Sequence, residues 1–141
     1  MLVFDLSLNH ILSVLVATIV GLVTSFVLFE LALKSRYLEA IGKTWDELQP
    51  EPKNLLVFIG FLYLEASAIG WVLNNVGAAN LLDAVIIGVV FWAFLLWFPI
   101  SEVIFEKYYN YKAFSIIALA TFITTVLMSV TIKIVGDLML I

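Results

Sequence analysis

The 141-residue sequence is 64% hydrophobic and only 13% charged, with a net charge of -4 and no cysteine. A soluble domain is typically about half apolar and about a quarter charged, so the composition excludes an ordinary soluble domain. Nucleic-acid binding is also excluded, because contacts to phosphates require clustered Lys and Arg residues. The lack of cysteine excludes disulfides, thiolate chemistry and Cys-ligated metal sites.

Four long apolar stretches occupy most of the chain: Ile11 to Leu33, Leu55 to Leu73, Ala84 to Ser101 and Phe114 to Ile132. A helix needs about 20 mainly apolar residues to cross about 30 Å of hydrocarbon. The sequence therefore predicts an all-α fold, an integral membrane four-helix bundle that forms a single transmembrane domain over residues 1–141. We expect helices over about 8–41, 54–74, 81–106 and 112–138, and a short interfacial helix over about 45–49.

The connector between the first two stretches carries signals for helix ends. Gly42 is typical of the residue that follows a helix. Thr44 and Glu47 have the spacing of a capping box, which predicts the short interfacial helix. Asn54 is then expected to cap the second span.

The third stretch carries signals at both of its ends. Asn80 followed by Asp83 has the spacing of a cap at the beginning of the helix. Near the other end, Pro99 removes a backbone hydrogen bond. We therefore expect the helix to bend there.

The basic residues are unevenly distributed along the chain. Only Lys133 lies outside two connectors, which contain Lys34, Arg36, Lys43, Lys53, Lys107 and Lys112. Basic residues in short loops stay in the cytoplasm, so the N-terminus, the C-terminus and the connector at residues 74–83 are predicted to lie outside it. The first ten residues contain Asp5 and neither Lys nor Arg, so we expect the first stretch to be a retained helix and not a signal peptide.

Glu65 is the most suggestive single residue, because it lies near the predicted bilayer midplane. A charge at that depth costs at least about 2.5 to 3.5 kcal/mol, and no Lys or Arg lies at the same depth. We expect a neutral carboxyl that donates a hydrogen bond to a hydroxyl, with candidates at Thr18, Ser25, Thr121, Thr124 and Thr125. Three interpretations are open: a structural bond between helices, a proton or cation site, and a catalytic acid.

Other ionisable residues lie closer to the membrane surfaces. Glu30 and Glu102 are expected at the same depth near the cytoplasmic side. They are interpreted either as solvated structural charges or as a paired-carboxylate site. Glu30 is one helical turn from Lys34, with which it can form an ion pair. His10 shows no metal-ligand spacing with the acidic residues on its side, so we expect a polar cap there. The sequence contains no HExxH, GxSxG or phosphate-binding glycine loop, and we expect no catalytic residue, metal or cofactor.

Small residues form stripes on the first two spans. Ala17, Gly21 and Ser25 repeat every four residues, as do Ala66 and Gly70. Such stripes let helix backbones approach closely. We expect packing within the bundle, with dimerisation as the alternative.

Several further features occur in a recognisable order. The first is the Leu-Asn pair Leu8-Asn9 before the first span, and the second is the amphipathic connector Tyr37 to Leu48. The third is the segment Gly88 to Phe94 of the third span, and the fourth is the Phe-Glu pair Phe105-Glu106 before the last helix. In this order the chain resembles the membrane family called domain of unknown function seventeen-sixty-one. One departure is Phe29-Glu30, where the family usually has a Trp-Tyr pair. The resemblance covers most of the chain and implies a four-helix membrane fold, without an activity or a catalytic residue.

The sequence as a whole predicts a noncatalytic membrane component or accessory subunit that binds protein or lipid partners. Enzymes need converging catalytic groups, whereas here one deep carboxyl stands alone. The main alternative is a proton-coupled or small-solute transporter or channel that works as an oligomer and uses Glu65. An intramembrane enzyme that uses Glu30, Glu65 or Glu102 is the third interpretation. The expected partners are membrane lipid and other membrane subunits or a second copy of the chain.

The predicted orientation can be tested by labelling two single-cysteine variants, Lys43→Cys and Asn75→Cys. An impermeant thiol reagent should label Asn75→Cys from outside intact cells and Lys43→Cys only after the membrane is opened, because basic connectors stay in the cytoplasm. Labelling of Asn75→Cys from the cytoplasmic side would contradict the assignment.

Overall fold

The computed structural model describes residues 7–48, 51–101, 103–104 and 110–139. Within these ranges all regular secondary structure is helical. Four helices are long and apolar enough to cross a membrane. The predicted all-α fold with four long apolar helices is therefore confirmed.

Within the described ranges, six α-helices and one π-helical segment form the four spans, and a seventh α-helix lies in a connector. The first span contains α1 (Leu8–Val27), the π-helical segment (Leu28–Leu33) and α2 (Lys34–Ile41). The short helix α3 (Trp45–Leu48) precedes the second span, α4 (Pro52–Val76). The third span contains α5 (Leu81–Leu95) and α6 (Trp97–Ser101), and the fourth is α7 (Tyr111–Leu138). We call the end where α1 begins and α7 ends the upper end, and the opposite end the lower end.

The helix ends match the sequence signals except at the second span. Asn80 and Asp83 form a complete capping box, and Gly42 follows α2 with a left-handed φ of 67°. The predicted cap at Asn54 is wrong, because α4 already begins at Pro52. Proline is favourable in that position, since its φ is preset for a helix and its missing N–H would have had no helical partner.

The α-helix of the third span is interrupted ahead of its proline and is not continuous over 81–106. The expected bend stays a prediction. The break falls at Leu96, between α5 and α6. Pro99 cannot donate to the carbonyl of Leu95 four residues earlier, so the helical bonding pattern is interrupted just there. Of the expected lower part of this helix, residues 102, 105 and 106 lie outside the described ranges.

The fourth span lies at the centre of the bundle and packs against both the first and the third span. The largest fully buried apolar side chains are Ile69, Met128 and Val14, contributed by three different spans. Gly88 allows the third span to approach closely, because a Cβ atom there would lie 3.0 Å from the backbone Cα of Val126. The interior is therefore a packed apolar core.

The second span joins the bundle only by its upper half. Its buried residues are Leu62, Ala66, Ile69, Gly70 and Leu73. Below them, residues 51–58, 60 and 61 are exposed on every side of the helix. The lower half of the second span, residues 52–61, thus contributes no buried side chain to the bundle.

The lower ends of the first and fourth spans are tied together by polar contacts. The Asn110 side-chain amide donates to the Ala40 carbonyl, and Lys112 Nζ lies 3.2 Å from Glu39 Oε1. In the neighbouring connector, the Thr44 N–H donates to Glu47 Oε2 at 2.7 Å. This bond to a backbone N–H stabilises the carboxylate and lowers the pKa of Glu47.

Close packing at Gly21 predicts that Gly21→Leu destabilises the bundle. A Cβ atom at Gly21 would lie 2.5 Å from Sδ of Met128, whose side chain is fully buried and has little room to move. We expect a loss of about 1–3 kcal/mol, measured as a lower unfolding midpoint in detergent.

Gly60→Leu is the matched control, because a Cβ atom there meets nothing within 4 Å. It should unfold at the wild-type midpoint. Equal midpoints for the two variants would show that the first and fourth spans do not depend on close approach at Gly21.

Candidate functional site

Glu65 lies in the middle of the 25-residue second span and contacts the fourth span. Thr125 Oγ1 donates a hydrogen bond to Glu65 Oε1 at 2.6 Å. Thr125 is 1% exposed, whereas Glu65 is only partly buried. The hydroxyl is one of the five candidates from the sequence, but the predicted direction of the bond is wrong, since the hydroxyl and not the carboxyl is the donor.

The partial burial of Glu65 follows from its position on the second span. Immediately above it, Ala66 is fully buried in the core, and below it Phe61 is 66% exposed. Glu65 thus lies where the packed upper half of the helix meets the exposed lower half. One carboxyl oxygen accepts the bond from Thr125 inside the bundle, and the residue as a whole is partly exposed.

The other hydroxyls of the interior are occupied by bonds within the bundle. Ser129 Oγ donates to the Ala84 carbonyl at 2.6 Å and links the fourth span to the third. Ser25 and Thr124 lie 3.3 Å apart and link the first span to the fourth. Thr18 instead donates to a carbonyl of its own helix, that of Val14, at 2.8 Å. These bonds hold helices together and do not form an open polar path.

Apolar side chains fill the space above Glu65. Ile69 and Met128 are 0% exposed, and Val14 is 2% exposed. Water or a solute could not pass along the axis of this conformation without displacing them, because a close-packed core has no voids of that size.

Glu30 forms a local cluster near the lower end with Lys34 and the aromatic rings around it. Lys34 Nζ lies 2.8 Å from Glu30 Oε2 and 3.4 Å from the centre of the Trp45 ring. Phe29 packs against the same tryptophan, with ring centroids 6.5 Å apart. This cation–π contact fixes the connector against the first span. Glu102, the predicted partner of Glu30, lies outside the described residues.

The two small-residue stripes face neighbouring spans within the chain. Gly21 lies against Met128, and Ser25 bonds to the fourth span as described above. Gly70 lies against His10, whose Cε1 would be 2.8 Å from a Cβ atom there. Ala17 and Ala66 are 0% exposed. The dimer alternative thus has no free small-residue surface in these stripes.

The upper end contains a cavity of about 280 Å³ between the first, second and fourth spans. His10 Nδ1 lies 3.2 Å from the Asn74 amide nitrogen, and Lys133 Nζ lies 2.6 Å from Asp137 Oδ1. All four of these residues line the cavity. Among the described residues, no three His, Cys, Asp or Glu side chains are placed to hold a metal ion.

The sequence did not indicate this cavity, because its residues come from three distant segments. Only the Lys133 and Asp137 pair carried a local signal, since residues four apart share one face of a helix. Gly136 also lines the cavity, and a Cβ atom there would come no closer than 3.8 Å to Ser13 Oγ. The space therefore depends on how the spans meet and on a glycine that leaves it open.

The bond between Glu65 and Thr125 predicts that Thr125→Val destabilises the protein. The substitution preserves shape but leaves a carboxyl group without its donor, which costs about 1–3 kcal/mol. Thermal unfolding in detergent should show this loss, and Thr125→Ser should recover part of it.

Thr131→Val serves as the control on the same helix, because the Thr131 hydroxyl donates only to the Leu127 carbonyl of its own helix. Its unfolding midpoint should stay near that of the wild type. If both valine variants unfold alike, the bond between the spans contributes nothing specific.

Comparison with known proteins gives one match, to a family model. No curated protein and no solved structure matches the chain. The family described as "Protein of unknown function (DUF1761)" matches residues 12–133, which is most of the sequence and all four spans except their outermost turns. The resemblance noted from the sequence is thereby confirmed: this multi-span membrane protein belongs to the DUF1761 family.

Proposed function

We propose that this protein is a noncatalytic accessory component of a membrane assembly, and that it binds a partner membrane helix through the lower half of its second span. The observation that carries the proposal is the partial burial of Glu65 at the middle of that span. A carboxyl group at this depth needs polar partners, because hydrocarbon offers none.

The carboxyl group has one bond inside the chain, from Thr125. On the same helix, the nearby side chains of Phe61 and Leu64 are 66% and 63% exposed. A partner helix with a hydroxyl or amide group at midplane depth would complete the hydrogen bonding of Glu65. The same helix would cover the apolar side chains around it.

The geometry favours a partner helix over lipid alone at this surface. Lipid tails can cover the leucines and phenylalanines equally well, so those residues do not discriminate between the two. The Glu65 carboxyl group does discriminate between a helix and lipid, because lipid tails cannot accept or donate hydrogen bonds. Interfaces between membrane helices commonly use such polar groups.

A catalytic function receives no support from the described residues. Glu65 has a threonine partner and no neighbouring base, nucleophile or cation among the contacts described above. Glu30 is paired with Lys34 at the lower end. A reaction would need several of these groups to converge on one point.

The second candidate is a proton-coupled transporter or channel that uses Glu65 as an oligomer. It is favoured by one observation, that Glu65 is only partly buried in the middle of its span. The closed core above Glu65 counts against it, because Ile69 and Met128 block the axis of a single chain. A second copy or a change in conformation would be needed to open a path.

Photo-crosslinking in native membranes tests the accessory function. Phe61→benzoylphenylalanine should give a discrete crosslinked protein product, and Ile19→benzoylphenylalanine should give lipid adducts. Ile19 is a matched control, because it is 61% exposed but lies on the first span. A product at twice the mass of the chain would identify the partner as a second copy.

Substitutions of Glu65 decide between the two candidate functions. Glu65→Gln retains hydrogen bonding without a titrating proton, so an accessory component should keep the crosslink from position 61. Glu65→Leu should lose it. Flux into vesicles should also be measured for the wild type and for Glu65→Gln. If the wild type shows pH-dependent flux and the Gln variant has lost it, the accessory function is rejected in favour of the transporter.

A further inference from the structure

The upper-end cavity combines charges of both signs with hydrogen-bonding groups at a membrane surface. Its volume of about 280 Å³ is close to the lower limit of known small-ligand pockets, about 300 Å³. Lys133 contributes an ammonium group and Asp137 a carboxylate. The two charges cancel, so the cavity favours a ligand that is neutral overall and itself carries both signs.

The positive part of the cavity lies deeper than the negative part. The side chain of Lys133 is 14% exposed, whereas that of Asp137 is 52% exposed. The first turn of α1 adds to the positive part, because Asn9 and His10 line the cavity where the helix dipole is positive. A ligand should therefore enter with its anionic group first and leave its cationic group near Asp137.

Hydrogen-bonding side chains line the cavity together with the ion pair. Ser13 and the amides of Asn9 and Asn74 line the cavity beside His10. A primary ammonium group can donate to carboxylate and amide oxygens, whereas a trimethylammonium group cannot and prefers aromatic rings. Among the described lining residues, His10 supplies the sole ring. The lining thus fits a primary amine.

Exposed apolar side chains occur at the helix ends next to the cavity. Leu8, Val76 and Leu138 occur near the helix ends that form the cavity, and they are 69%, 64% and 65% exposed. In a membrane, such side chains lie against acyl chains. A lipid whose headgroup is zwitterionic would place its acyl chains along these apolar side chains.

We propose that the upper-end cavity binds a phosphoethanolamine group, with its phosphate near Lys133 and the first turn of α1 and its ammonium near Asp137. The shared chemistry is a phosphate joined to a primary amine, which a phosphatidylethanolamine headgroup or a free glycerophosphoethanolamine can supply. The site is distant from the lower half of the second span, so it goes beyond the proposed accessory function and does not depend on it.

Native mass spectrometry of the full chain in detergent tests the site. The probes are phosphatidylethanolamine, phosphatidylcholine and phosphatidylglycerol with identical acyl chains. Wild-type protein should retain phosphatidylethanolamine about tenfold more strongly than either other lipid, as expected from one or two charge-assisted hydrogen bonds. Equal retention of the three lipids would overturn the proposal.

Two substitutions connect the binding to the cavity. Gly136→Leu should abolish the preference by filling the space, since nothing lies closer than 3.8 Å to a Cβ atom there. Asp137→Asn keeps the shape and removes the negative charge, so it should reduce the preference even if the leucine variant does not fold. Wild-type preference in folded Gly136→Leu, or in Asp137→Asn, would also overturn the proposal.

Controls at the lower end separate this site from general effects on the membrane protein. Gly60→Leu adds the same side chain at an open position, and Lys112→Met removes a lysine that pairs with Glu39. Both should keep the wild-type preference, and loss of the preference in either would count against the cavity as its source.

A displacement experiment distinguishes the two sources of the phosphoethanolamine group. Displacement of the bound lipid by glycerophosphoethanolamine would show that the cavity takes the free group. Retention of the lipid would assign the lipid-borne group, and either result supports the shared chemistry.

Discussion

Polar groups inside a bilayer must find their partners within the protein, and the arrangement of these four spans depends on that constraint. Thr125 donates to Glu65, Ser129 donates to the Ala84 carbonyl, and Ser25 lies beside Thr124. Each bond joins the fourth span to a different neighbour. The fourth span is therefore central both in its packing and in its hydrogen bonding, since without it these groups would be left unsatisfied in hydrocarbon.

Close approach of the helices makes these bonds geometrically attainable. Gly21 lies against the fully buried Met128, and Gly88 lies against the backbone at Val126. Lipid tails are as apolar as leucine side chains, so membrane helices gain little from hydrophobic exclusion and depend on such contacts. Small residues thus bring the first and third spans to the distance at which short hydroxyl side chains can reach across.

The second span differs from the other spans because it is packed along only half of its length. Both functional hypotheses are based on this difference. The upper half of the second span is packed and helps to form the upper-end cavity, whereas none of its buried side chains comes from residues 52–61. Glu65 lies at the boundary between the two halves. A group with one bond inside the chain and one face toward open surface is suited to a contact with a second membrane helix.

Composition and local spacing were sufficient to predict four apolar helices and the capping box at Asn80, because each of these depends on a few consecutive residues. The position of Glu65 in the middle of one span also followed from counting residues along that helix. Local signals misplaced the start of the second span, since a proline at the first helical position outweighed the cap expected at Asn54. Only the tertiary structure selected Thr125 among five hydroxyls, showed that the second span is packed along half its length, and assembled the cavity from three spans. Those features depend on the relative rotation and distance of whole helices, which no single stretch of sequence determines.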